Sequence, residues 1–131
     1  MISAIDLKKI ARARLKDAEI LFSKKRYDGA VYLCGYAVEL FLKSRICRTI
    51  KWEGYPSLPK EFNNFTSFRT HNLDVLLKLS GIEYKIKDNY FLDWSIVATW
   101  DPTVRYKPIG TNKKTDALNM IESTRKLSGV L

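Results

Sequence analysis

The chain has few of the residues that break helices, cross-link chains or bind metals. Its 131 residues include only 6 Gly, 4 Pro, 2 Cys and 1 His. The low Gly and Pro content excludes collagen-like and low-complexity chains, and a hydrophobic content of 46% excludes a wholly disordered one. Since the length is that of one ordinary domain, we predict a single domain over residues 1–131.

The scarcity of cysteine and histidine limits redox and metal chemistry. Cys34 and Cys47 fall in one predicted helix, whose rise separates them by roughly 20 Å, too far for a disulfide. His71, without a Cys-x-x-Cys motif elsewhere, cannot complete a zinc site. We therefore predict no metal and no cofactor, and a reducing, cytoplasmic setting.

Long hydrophobic runs are also missing. The longest uncharged apolar stretch, residues 29–38, falls far short of the ~20 residues that span a bilayer. Residues 2–17 alternate charged and apolar side chains instead of forming the apolar core of a signal peptide. The sequence therefore predicts no membrane association.

Positive charge is the most marked feature that is present. Lys and Arg number 23 against 14 acidic residues, and most of the net charge of +9 lies before residue 60. In the first predicted helix, Arg12 and Arg14 alternate with apolar residues, which is typical of a solvated helix face. The same charge attracts acidic or phosphate-bearing partners, so both residues are candidate ligand contacts.

Apolar residues recur at helical spacing in five segments. Ser3 and Asp6 have the spacing of a capping box, Asp28 is placed to cap the second helix, and Thr111 to cap the last. No segment alternates like a β-strand, so we predict an all-α bundle of four to five helices. The predicted helices cover residues 3–26, 29–50, 71–81, 87–99 and 111–127.

The second segment is apolar around most of its circumference, which predicts the central helix of the bundle. Gly35 in its interior costs about 1 kcal/mol relative to Ala, so we expect a neighbouring helix to pass close to it. Glu39 and Lys43 have the i,i+4 spacing of a surface ion pair.

Residues 51–70 lose the helical period and form a long, aromatic-rich connection. Packing against the rest of the domain is the first interpretation, and a partner chain or nucleic-acid bases are the alternatives. Pro59 predicts a short helical turn. The aromatic residues are Trp52, Tyr55, Phe62, Phe65 and Phe68.

Few motifs for catalysis are present. There is no phosphate-binding glycine loop, no paired-carboxylate motif on a helix and no Gly-x-Ser-x-Gly motif. His71 lies at a predicted helix start, as a capping or packing residue or as a general base. A His with an Arg can cleave RNA by activating the 2′-hydroxyl and stabilising charge on the phosphate. His71, Arg69 and Arg105 are therefore the weak catalytic candidates, and Tyr106 joins Arg105 as a candidate ligand contact.

The chain resembles the HEPN domain family (higher eukaryotes and prokaryotes nucleotide-binding). The resemblance rests on residues 11–19, 26–30 and 32–43, on His71-Asn-Leu73, and on Arg105-Tyr-Lys-Pro108. It implies an up-and-down bundle of four or five helices that is often a homodimer. It also implies a minimal nucleotidyltransferase partner, in pairs that resemble toxin and antitoxin.

Many members of that family resemble metal-independent ribonucleases, whose signature is an Arg followed, after four to six intervening residues, by a His. In this chain the corresponding positions hold Asn64, Phe65 and Thr66, and Arg69 is too close to His71. This departure leaves the ribonuclease chemistry without its usual residues.

Three functional hypotheses follow. The first is a non-catalytic or degenerate HEPN protein that acts with a nucleotidyltransferase, or binds a nucleotide or RNA through the first helix and Arg105–Tyr106. The second is a divergent ribonuclease that uses His71 with Arg69 or Arg105. The third is a homodimeric scaffold whose interface is formed by residues 51–70.

Overall fold

The computed structural model describes residues 1–131 and is mainly helical, which confirms the predicted all-α class. None of its helices combines the length and apolar composition needed to cross a bilayer. The helices are α1 (Ala4–Ser23), α2 (Tyr27–Thr49), α3 (Leu73–Leu79), α4 (Glu83–Asn89), α5 (Phe91–Val97) and α6 (Lys114–Ser128). The strands are β1 (Ile2–Ser3) and β2 (Gly54–Tyr55), and 3₁₀ helices cover Pro59–Phe62, Thr66–Phe68 and Pro102–Tyr106.

Helices α1 and α2 form an antiparallel pair. The Ser3 hydroxyl oxygen accepts a hydrogen bond from the Asp6 N–H at 3.1 Å, so the predicted helix cap is confirmed. The Ser44 hydroxyl, near the end of α2, donates to the Ala4 carbonyl at 2.8 Å. This contact joins the start of one helix to the end of the other. The buried stripe of α1 consists of Leu7, Ala11, Leu15 and Ala18.

Helix α2 is the central helix, as predicted, and it contacts α1, α3 and α6. We expected a neighbouring helix to pass close to Gly35, and this is wrong, because a single side chain lies there instead. A Cβ on Gly35 would lie 2.1 Å from the indole ring of Trp100, which follows α5. The glycine therefore makes the socket in which this indole lies.

Two predicted helix caps are wrong. Asp28 lies inside the first turn of α2, and its carboxylate accepts hydrogen bonds from the N–H groups of Gly110 and Asn112 at 2.7 and 2.8 Å. Thr111 lies before α6, which begins at Lys114, and its hydroxyl donates to a loop carbonyl. Both side chains hold the loop before α6 in place instead of capping a helix.

The predicted helix over 87–99 is divided at Tyr90, whose φ of −132° and ψ of 32° leave the helical region. Asn89 precedes the break, and its side-chain amide donates to the Lys85 carbonyl at 3.1 Å. Such bonds to the local backbone compete with helix propagation. Phe91, the first residue after the break, is 61% exposed.

The connection 51–70 packs against its own domain, which confirms the first interpretation. Strand β2 pairs with β1, and Tyr55 is buried with its hydroxyl donating to the Phe68 carbonyl at 2.6 Å. The Trp52 ring lies 5.1 Å from the Phe65 ring and 4.8 Å from the Phe68 ring. The helical turn predicted at Pro59 is the first 3₁₀ helix.

Candidate functional site

One face of α2 carries a stripe of polar and aromatic side chains, at spacings of four, three and four residues. Residues so spaced lie on one side of a helix. We call this set the α2 stripe. It consists of Tyr32, Tyr36, Glu39 and Lys43.

A buried carboxylate lies in the middle of the α2 stripe. Glu39 is 3% exposed, and its Oε1 lies 2.6 Å from Nδ1 of His71 while its Oε2 lies 3.4 Å from Nζ of Lys43. The expected Glu39–Lys43 pair therefore forms, but it is buried and shared with a residue from the loop before α3. Because the carboxylate engages Nδ1, it orients the imidazole and leaves Nε2 free for another partner.

His71 and Arg69 line one cavity of about 570 Å³ between the start of α1, the α2 stripe and the aromatic connection. We call it the main cavity. The Arg69 guanidinium lies 5.7 Å from the centre of the Phe62 ring, and Lys43 also reaches the cavity wall. The structure thus brings together two of the three weak catalytic candidates.

Arg105, the third candidate, lies at the other end of the α2 stripe. Its guanidinium lies 4.9 Å from the centre of the Tyr106 ring. The hydroxyls of Tyr106 and Tyr32 raise the pKa of Arg105, which keeps the guanidinium charged. Arg105 does not line the main cavity, so a single chain does not combine it with His71 at that site.

The two tyrosines of the stripe connect this end to the fold. Their hydroxyl oxygens lie 3.5 Å apart. The pKa of Tyr32 is lowered, chiefly by the Tyr36 hydroxyl and further by Arg105, while the pKa of Tyr36 is raised to about 12, chiefly by its bond to Tyr32. The Tyr36 ring packs edge-on against Trp100 at 5.0 Å. Negative charge is therefore easier to hold on the outer tyrosine, beside the arginine.

Arg105 lines a hollow of about 230 Å³ between the start of α2 and the loop before α6. We call it the loop hollow. It adjoins a second concavity that is lined by Lys25 and Arg26, and Lys107 lies on its own wall. The only acidic residue of both walls is Asp28, and the backbone N–H groups of Gly110 and Asn112 lower its pKa by bonding its carboxylate. The cations there are not neutralised by side-chain ion pairs.

The remaining ligand candidates, Arg12 and Arg14, are exposed on α1 and line neither the main cavity nor the loop hollow. Arg14 pairs with Asp17 at 3.5 Å. Arg12 belongs to a cluster with Lys8 and Arg48, in which burial and the neighbouring cations lower the pKa of Lys8. The structure therefore separates the basic first helix from Arg105.

Sequence reasoning missed the buried role of Glu39 and the loop contact of Asp28. The spacing of the α2 stripe was a signal for the first, because a carboxylate at this spacing from two tyrosines and a lysine shares their face. No local signal marks the second, since its partners lie more than eighty residues away. No group of three or more His, Cys, Asp or Glu side chains is arranged to hold a metal ion.

The fold and these two concavities define a small helical-bundle protein whose central helix borders two hollows lined by basic and aromatic side chains. The sequence model of the HEPN domain matches residues 4–53, which include α1, α2 and the turn between them. The resemblance to the HEPN domain family is therefore confirmed for that part of the chain. No match was found among curated proteins or among solved structures.

Proposed function

We propose that this HEPN-domain chain binds single-stranded RNA, or a nucleotide as its smallest unit, at the loop hollow without cleaving it. The observation that carries the proposal is the stacked pair of Arg105 and Tyr106, whose ring is 76% exposed. An exposed aromatic ring offers a stacking surface to any base, and the adjacent guanidinium bonds to phosphate.

The surrounding charge supports the same ligand. Lys25, Arg26 and Lys107 line the concavities next to Arg105, and Asp28 is already bonded to backbone N–H groups. A phosphate backbone that crosses this end of the bundle would meet several free cations. Binding by such contacts weakens as salt rises, because bound cations release the counterions of the nucleic acid.

The proposal is tested by the fluorescence anisotropy of a short labelled single-stranded RNA. Tyr106→Ala should lower the affinity roughly five- to a hundredfold, which is the range for loss of one base–aromatic stack. Tyr84→Ala is the matched control, because Tyr84 is 83% exposed but lies on α4, away from the loop hollow. Equal affinity of both variants, or no binding by the natural chain at micromolar concentration, contradicts the proposal.

The family resemblance adds two points to this proposal. The chain would act with a minimal nucleotidyltransferase as its partner, and it would form a homodimer. Part of the connection 51–70 packs within the chain, but Leu58 and Phe65 are 63% and 42% exposed, so this segment stays a candidate for the interface. Co-purification with the product of the neighbouring gene, and the molecular mass by sedimentation equilibrium, test the two points. A lone monomer in both experiments contradicts them without touching the RNA proposal.

A second candidate function, RNA cleavage, is favoured by the contact between Glu39 and His71. A carboxylate that holds Nδ1 prepares Nε2 to accept the proton of a 2′-hydroxyl, whose oxygen then bonds to phosphorus as the P–O5′ bond breaks. The 5′-oxygen would leave with a proton from the imidazolium or from water, and Arg69 on the same cavity wall would stabilise the charge that develops on the phosphate. Cleavage should then persist in a chelator, be lost in His71→Ala, and be retained in Arg14→Ala, because Arg14 lies outside the cavity. Equal activity of His71→Ala and the natural chain would exclude this chemistry.

A further inference from the structure

The main cavity combines apolar walls with a cationic mouth. Leu7, Leu40 and Phe62 are among the apolar side chains of its walls, and Lys43, Arg69 and His71 are its basic side chains. Its volume of about 570 Å³ lies in the range of small-molecule sites. The cavity therefore has the size and the mixed lining of a ligand site.

The charge at the mouth is unbalanced. No acidic side chain lines the cavity, and the two nearby carboxylates are already paired, Glu39 with Lys43 and His71 and Glu61 with the N-terminal amine. Arg69 is exposed, and it lies against the Phe62 ring without a carboxylate partner. One guanidinium is thus available to an anion that enters the mouth, while the ion pair with Glu39 fixes the position of the lysine.

The position of these cations beside apolar walls indicates which kind of ligand would fit the cavity. Lys43 lies 5.3 Å from the centre of the buried Tyr55 ring, so both Lys43 and Arg69 are held where the aromatic wall meets the mouth. A free anion would leave the apolar walls in contact with water. A molecule with an apolar body and one anionic head would cover the walls and reach the guanidinium at the same time.

From this arrangement we infer that the main cavity binds a small amphipathic anion, with an aromatic or aliphatic body in the cavity and a carboxylate or phosphate head at Arg69. The site is separate from the loop hollow that we propose for RNA. It overlaps the His71–Glu39 pair of the second candidate function but requires no cleavage.

Isothermal titration with four probes tests the inference. 2-Naphthoate and 2-naphthyl phosphate carry both the apolar body and the anion, 2-naphthalenemethanol carries only the body, and inorganic phosphate only the anion. Both naphthyl anions should bind with a stoichiometry of one. The alcohol should bind at least tenfold more weakly, and phosphate should give no heat. Whichever naphthyl anion binds more tightly identifies the head group.

Amino-acid substitutions test whether the probes bind in the main cavity with the anion at Arg69. Arg69→Gln should weaken the naphthyl anions roughly ten- to a hundredfold and leave the alcohol unchanged, because a hydrogen bond to a charged group contributes about 1.5–3 kcal/mol. Leu40→Trp should abolish binding of all naphthyl probes by filling the cavity, with circular dichroism confirming the fold. Arg14→Gln is the matched control for the loss of one positive charge, and Arg105→Ala should have no effect.

Three results overturn the inference. The first is that neither naphthyl anion binds at millimolar concentration, and the second is that the alcohol binds as tightly as the anions. The third is unchanged binding in folded Arg69→Gln and Leu40→Trp. None of these results bears on RNA binding at Arg105, so failure of one proposal leaves the other standing.

Discussion

Replacing Gly35 with Ala sets helix propensity against packing, and the structure decides which of the two prevails. Propensity alone predicts a gain of about 1 kcal/mol, because Ala is the better residue inside a helix. The new Cβ, however, would lie 2.1 Å from the Trp100 ring, where ordinary contact begins at 3.4 Å. The indole would have to retreat by about 1 Å or more, out of a close-packed interior.

The magnitude follows from these two effects. Overpacking a core costs about 1–3 kcal/mol, so after the gain of about 1 kcal/mol in propensity we expect the free energy of unfolding to fall by up to about 2 kcal/mol. Trp100 also packs against Tyr36 and begins the segment that carries Arg105. Displacing its ring should therefore disturb the loop hollow as well as stability.

Urea unfolding followed by circular dichroism measures this change. Gly29→Ala is the control, because its added Cβ meets only the end of the flexible Leu21 side chain, at 3.1 Å. We expect the control to be as stable as the natural chain or more so. A Gly35→Ala protein that is more stable than the natural chain would refute the account of the indole socket.

Three further predictions concern the caps and buried groups. Asp28→Ala should speed the amide hydrogen exchange of Gly110 and Asn112, which its carboxylate now holds. These N–H groups lower the pKa of Asp28 from 3.8, so the carboxylate stabilises the fold above about pH 4. This contribution is lost as the pH falls through the folded-state pKa. The mutant and the natural chain should therefore converge in stability in acid. Ser3→Ala should lower the free energy of unfolding by about 1 kcal/mol in a urea titration, by removing the cap of α1. Burial raises the pKa of the Cys34 thiol to about 12, so a disulfide reagent at pH 8 should label it only as fast as the protein unfolds, and rapid labelling in native buffer would contradict this.

Local signals predicted the fold class and the first two helices well. The Ser3 cap, the apolar stripe of α1 and the central position of α2 all depend on residues within a few turns of one another, so periodicity and capping rules reach them. The break at Tyr90 was not predicted, because the helical spacing of apolar residues continues across it. Tyr90 leaves the helical region directly after Asn89, whose side-chain bond to the backbone competes with the helix, and hydrophobic periodicity carries no information on such a bond.

The site was less predictable because its contacts are distant in sequence. His71 meets Glu39 across 32 residues, and Asp28 meets Gly110 across 82. Nothing in the spacing of either pair indicates that the two side chains converge. The fold brings His71 and Arg69 into one cavity, whereas Arg105 lies apart, in the 3₁₀ helix between α5 and α6.

The central claim is that RNA binds at Arg105 and not by the general charge of the chain. It is tested most directly by titrating one labelled single-stranded RNA with the natural chain, Arg105→Ala and Arg14→Ala at the same low salt concentration. Each substitution removes one positive charge, but Arg14 lies outside the loop hollow and is paired with Asp17. We expect a large loss of affinity for Arg105→Ala and little change for Arg14→Ala, whereas equal losses would contradict binding at Arg105.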